Sequence, residues 1–303
     1  ADFNVAVGTA ALGVDTLGSR TTALGYGAFA VQNFTTATNS HNVGVGYFAG
    51  AAVTTGTQNT LIGALAGDAL TTGNSNVALG FQALTTDTLG QSSVAIGRNA
   101  LIVQNFTTAT DTFNVAIGDR VATSVTTGVQ NTIIGGLAGD ALTDADNNVA
   151  VGYAALTSDA LGSKSVAIGK SALQSQNFTT ATDSFNTAVG FSAGLSITTG
   201  VNNTLVGGET GETITTGSQN TFVGARAGDA INTGGNNVAI GWASLTTDTK
   251  GDKTVAVGRS ALGNQNFTTA TDVYNVAVGY AAGFAITTGE GNTLVGGLAG
   301  DAL

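Results

Sequence analysis

Few residues in this chain are equipped for chemistry, and their spacing argues against a conventional active site. There is one histidine, His41, and no cysteine. That removes thiolate zinc sites, disulfide frameworks, cysteine nucleophiles and histidine-based triads. The carboxylates fall in columns rather than clusters. Asp68, Asp140, Asp229 and Asp301 each follow a glycine, and Asp15, Asp87, Asp159 and Asp248 share a second column. Calcium takes about six to eight converging oxygens, and only Asp144 and Asp146 stand close together in sequence. The remaining carboxylates read as aids to solubility. The phosphate-loop pattern G-x-x-x-x-G-K-[ST] is absent. The chain therefore reads as non-enzymatic, with no catalytic residues, no metal and no cofactor. Nine Lys and Arg, scattered singly under a net charge of −10, speak against a nucleic-acid partner. No apolar run is long enough to insert this segment into a membrane.

Two sets of aromatic side chains remain as candidate contacts. Phe34, Phe106, Phe178 and Phe267 sit in four copies of Q-N-F-T-T-A-T. These segments read either as loops presenting an aromatic and hydroxyls to a surface glycan or receptor, or as bulges anchored by a tucked ring. Tyr26, Tyr47, Phe81, Tyr153, Phe191, Trp242 and Tyr280 form the second set. Their column also holds Arg98, Asp119, Lys170 and Arg259, so it is expected to face solvent, stacking on sugar or shielding a turn.

What positions these residues is a repeat. The pattern N-[VT]-[AL]-[VIL]-G-x-x-A recurs seventeen times from end to end, with glycine-to-glycine spacings of 17 or 21. The longer units begin at Thr21, Ser93, Ser165 and Thr254, defining a 72-residue super-repeat of four units with lengths 17, 21, 17 and 17. One additional 17-residue unit falls within 203–236. Residues 1–303 thus read as a single repeat domain that starts and stops mid-pattern, as an excerpt of a longer fibre would.

Units this short cannot each bury a core, but stacked coils can share one. Positions two to four are β-branched or aliphatic and read as a short strand. The Gly columns, including Gly46, Gly63, Gly80, Gly118 and Gly135, read as turns. The expected architecture is an all-β parallel β-solenoid of seventeen coils, about 80 Å long at the usual strand spacing. The first position is Asn in thirteen units. Asn42, Asn59, Asn76, Asn114 and Asn131 are expected to form a buried amide ladder at a coil corner. Missing Pro fits a chain in which nearly every N–H is needed.

Alternation then gives the strand two apolar faces. Positions two and four share one face, and the small third position takes the other. A strand apolar on both sides should be buried on both. One side would fill the coil, and the small Ala face would meet another subunit, predicting an oligomer around a central axis.

The segments Ser93–Gly97, Ser165–Gly169 and Asn4–Gly8, each followed by x-x-Ala, resemble the head repeats of YadA-type trimeric autotransporter adhesins. Similar repeats occur in bacteriophage tail-fibre proteins. This resemblance covers nearly the whole chain. It implies a left-handed β-roll, a homotrimer, exposure at a cell or virion surface outside the cytoplasm, and attachment as the task. A self-assembling extracellular filament without a receptor is the alternative. Ice binding is a more distant one, because the recurrent Thr54-Thr55 and Thr71-Thr72 pairs send only one hydroxyl outward each.

Overall fold

A computed structural model describes residues 1–303. It contains strands and turns and no helix, and it divides into two compact units, Ala1–Asn148 and Val149–Leu303. In the first unit, eight three-residue strands run from Val5–Val7 to Thr132–Ile134. Each pairs in parallel with the strand one turn later, position for position, as in Thr60↔Val77, Leu61↔Ala78 and Ile62↔Leu79. In the second unit, nine such strands run from Val149–Val151 to Thr293–Val295 and pair in the same way, as in Thr204↔Thr221 and Leu205↔Phe222. Each unit is a parallel β-solenoid, and the two hold seventeen turns between them.

The backbone bends at the same places in every turn. At the fifth position Gly takes a φ between +127° and +148°, a region essentially reserved for glycine. Space demands glycine as well, since a Cβ on Gly63 would lie 2.4 Å from the carbonyl oxygen of Gly80 in the next turn. Non-glycine residues bend the rest of the turn. Gln82, Leu84 and Ser92 have φ of 55°, 55° and 59°, and equivalent residues of other turns share this left-handed conformation. Proline, fixed near −65°, has no place at any of these bends.

The left-handed residue closing each turn precedes the Asn column, and the Asn side chain repairs what the corner leaves open. Asn59 Nδ2 donates to the carbonyl of Gly73, 2.8 Å away, and Asn59 Oδ1 accepts the N–H of Asn76 at 3.0 Å. Asn42, Asn76, Asn114 and Asn131 do the same, and all five are buried. The ladder is thus mainly side chain to backbone. Direct amide-to-amide bonds are longer, as in Asn131 Nδ2 to Asn114 Oδ1 at 3.4 Å.

The third position points into the turn, not toward a neighbouring chain as its small size suggested. Ala23, Ala78, Ala95, Ala150 and Ala239 are fully buried, whereas positions two and four lie outward. The interior is filled by size matching within many turns, and turns small at both positions, such as that of Gly44 and Gly50, take in Phe29 and Leu61 from the turns beside them. Ala78 in the third position is matched by Leu84 in the ninth, whereas Leu61 is matched by Gly67. A Cβ on Gly67 would come within 2.8 Å of Leu61 and 3.0 Å of Leu70. Ile133 with Gly139 and Phe222 with Gly228 repeat the exchange. The additional unit of 203–236 makes two large-third-position turns consecutive, at Leu205 and Phe222.

Asn76→Ala strips partners from the buried N–H of Ser93 and carbonyl of Gly90 and is expected to cost about 2–4 kcal/mol in urea unfolding. Ala78→Leu overpacks its turn by about 1–3 kcal/mol. Combined with Leu84→Gly it is expected to show a favourable coupling in a double-mutant cycle, because the pair then copies Leu61 and Gly67.

Candidate functional site

The four insertions are built around a polar network that sequence reading did not anticipate. The twelfth position runs Asp, Gln, aliphatic, aliphatic, with a third aliphatic where the additional unit falls, and every insertion turn carries the Gln directly after an Asp turn. Asp87 Oδ1 accepts the N–H groups of Gly90 and Phe106 at 3.0 and 3.3 Å. Its Oδ2 accepts Gln104 Nε2 at 2.6 Å. Gln104 Nε2 also reaches Ser93 Oγ at 3.0 Å, and Gln104 Oε1 accepts Asn114 Nδ2 at 2.9 Å. Ser93 Oγ and Thr112 Oγ1 are 2.6 Å apart. The network therefore joins the loop to the Asn ladder. Asp15 with Gln32, Asp159 with Gln176 and Asp248 with Gln265 repeat it.

This corrects the role expected for one carboxylate column. Asp87, Asp159 and Asp248 are fully buried, so they add nothing to surface solubility. Each orients a loop by accepting backbone N–H groups that would otherwise be buried without partners.

The same geometry locates the insertion phenylalanines. Phe34, Phe106, Phe178 and Phe267 are only 5–6% exposed. Phe178 packs over the turn at Gly162, where an added Cβ would stand 2.7 Å from the ring. The rings roof the network instead of presenting a face to a partner. What the loops expose is hydroxyl and methyl, at Thr35, Thr36 and Ala37 and their equivalents. Thr38–Asn39 then pairs in parallel with Gly18–Ser19, restoring register after the bulge.

Exposed aromatics lie in the sixth column and, as Phe113, Phe185 and Tyr274, at the corner before the Asn column. Tyr26, Tyr47, Phe81, Tyr153, Phe191, Trp242 and Tyr280 are each about half exposed. Tyr26 and Tyr47 stack with centroids 5.7 Å apart. Cations from adjacent turns lie over others, including Lys170 over Phe191 at 5.7 Å and Arg259 over Trp242 at 5.0 Å. Where the column carries charge, Arg98 meets Asp119 through two bonds of 2.8 and 3.0 Å. The Arg98 hydrogen bond holds the Asp119 carboxyl below the usual carboxylate range, and Lys253 does the same to Asp272.

The other polar candidates are engaged individually. Asp144 accepts Thr127 Oγ1 at 2.6 Å, and Asp146 accepts the N–H of Val129 at 2.7 Å. No three carboxylate or imidazole groups converge as metal ligands would. His41 is exposed at a left-handed corner. In the Thr-Thr pairs the first hydroxyl bonds the next turn's carbonyl, as Thr54 does to Thr71 at 3.2 Å, leaving the second exposed.

A depressed carboxylate stabilises the folded chain above the ordinary carboxylate range, and that contribution fades as pH falls through the depressed value. An NMR titration of side-chain carboxyl carbons is expected to show Asp119 titrating below the usual range and Arg98→Gln returning it upward. An unchanged Asp119 in that variant would contradict the pairing.

No protein family matches the sequence, and no curated protein is significantly similar to it.

Proposed function

We propose that this chain is part of a homotrimeric, non-enzymatic fibre, exposed on a cell or virion surface and used for attachment. The observation that carries this reading is the outward face of the three-residue strands. Position four is Val, Leu or Ile in every turn, and position two is Val or Thr. Both point away from the interior, with Leu24 44% and Leu79 42% exposed. A continuous aliphatic column of this kind is unusual on a monomer's surface. Strands apolar on both faces are normally covered on both.

The sequence expectation thus keeps its conclusion and changes its contact residues. Branched aliphatics, not alanines, would meet the neighbouring chain. Closed cyclic symmetry covers such a face once per copy without leaving an open edge. The resemblance of the strand motif to YadA-type heads and tail-fibre repeats supports three copies and a left-handed roll. The role needs no catalytic group, cofactor, nucleic acid or lipid. Binding would be multivalent, so that weak contacts repeated along three chains add in avidity. No helix is long and apolar enough to cross a membrane.

Sedimentation equilibrium tests the assembly. The expected mass is about three times 29.7 kDa. Leu79→Asp combined with Ile96→Asp is expected to lower it while keeping the strand signal in circular dichroism. A monomer at every concentration would overturn the trimer. A trimer that binds no cell, virion host or glycan surface would reduce the role to that of a structural filament.

A further inference from the structure

The four-turn pattern is most disturbed in one stretch of the second unit, and a groove lies there. Its volume is about 580 Å³, and its lining includes Glu212, Arg226, Asp229, Trp242, Gly263 and Phe284, a size ordinary for small-molecule sites. Three departures from the repeat make it. The chain's single Trp stands in the sixth column. In other blocks one small residue precedes the aromatic in that column, Ala64 before Phe81 and Gly136 before Tyr153. Here the additional turn supplies two, Gly208 and Ala225, so small residues adjoin one side of the indole while Arg259 covers the other at 5.0 Å. Finally, Gly263 takes the tenth position, where the other insertion turns carry Ala30, Ile102 and Gln174, and the Phe284 ring of the next turn packs against it as a groove wall, 2.9 Å from where a Cβ would stand.

The polar groups along this groove are held in place by their neighbours. Asp229 Oδ2 accepts Arg226 Nε at 3.1 Å, and Asp229 Oδ1 accepts Thr246 Oγ1 at 2.6 Å. Thr247 Oγ1 is fixed by the carbonyls of Gly263 and Gln265 at 2.8 and 2.9 Å. Asn264 lines the groove beside Gly263. An aromatic face, fixed carboxylate acceptors, a guanidinium and an amide are the complement of a pyranose, which offers an apolar C–H face and a rim of hydroxyls. Glu212 and Asp229 balance Arg226 and Arg259 in formal charge, which favours an uncharged ligand over an anionic one.

We propose that this groove binds a neutral oligosaccharide, with Trp242 as the stacking platform and Asp229, Arg226 and Asn264 as hydroxyl partners. The site deepens the attachment reading by naming what is held, and it rests on that reading only for its biological role. It also moves recognition from the four identical insertions to the one place where the chain is not repetitive.

Because Trp242 is the only Trp, intrinsic fluorescence reports this groove alone. The full chain is titrated with cellotetraose, chitotetraose and maltotetraose to millimolar concentration, with sialyllactose as the anionic comparison. At least one neutral tetrasaccharide is expected to give a saturable shift in Trp emission. Gly263→Ile with Phe284→Thr copies the Ile102 and Thr123 pair of an equivalent insertion and should fold while replacing the aromatic Phe284 wall of the groove; it is expected to raise the Kd about tenfold or more. Asp229→Asn keeps the shape and is expected to weaken binding as well. No response to any neutral probe, a response to sialyllactose alone, or equal binding by the variant without the Phe284 wall would overturn the proposal. A trimer without a saccharide response would sink the groove and leave the fibre standing, whereas a monomer with one would sink the trimer and support the groove.

Discussion

The interaction on which the structure depends is the buried Asn side chain at the start of each turn. A chain that closes so short a circuit must bend sharply several times, and each bend takes backbone groups out of the ladder. The residue before the Asn is left-handed, as at Gln58, Ser75 and Gln130, a conformation most L-residues adopt only at a cost. The Asn amide returns two hydrogen bonds at that corner, one to its own turn and one to the next. It thereby links the shape of a turn to the register between turns. Where Ser or Thr replaces Asn, at Thr21, Ser93, Ser165 and Thr254, the turn carries the insertion and its Gln amide donates to that hydroxyl, while in three of the four Ser40, Thr112 or Ser184 accepts the N–H of the next Asn.

That substitution ties each insertion turn to the turn before it. The insertion turn needs Gln at its twelfth position, and the Gln needs the Asp of the turn before it. Two aliphatic turns follow and restore a dry interior, with Leu70 and Leu142 fully buried at the same position. Size matching between the third and ninth positions, within a turn or with the turns beside it, lets the turns share one cross-section. Close packing of this kind penalises both cavities and excess volume. The core is therefore specified by pairs of positions rather than by single columns.

The solenoid was legible because its constraints fall on single columns: a glycine that no Cβ can replace, and an Asn that pairs with backbone. The direction of the strand was not, because alternation separates two faces without saying which one turns inward. The signal lay in the chain's own repeats, where a larger residue at Leu61, Ile133 or Phe222 always coincides with Gly nine positions into the turn. Only side chains that face each other inside would exchange volume in that way. The insertion phenylalanines stayed open between contact and tucked ring because the Asp–Gln network beneath them joins side chains from successive turns, as Asp87 and Gln104 do. The groove beside Trp242 was illegible for a related reason. It is made by side chains spread over five turns, and one wall is the Phe284 ring, which only a glycine at position 263 admits.

The central claim is that the outward aliphatic columns of the strands lie between copies of the chain. The sequence has no cysteine, so one introduced thiol carries one spin label. A label at Ile168→Cys, in the fourth column, and one at Asn105→Cys, on an exposed insertion loop, are compared by continuous-wave electron paramagnetic resonance. The account predicts strong dipolar broadening at position 168, since packed sheets lie about 10 Å apart, and none at position 105. An unbroadened spectrum at 168 in the assembled protein would contradict it.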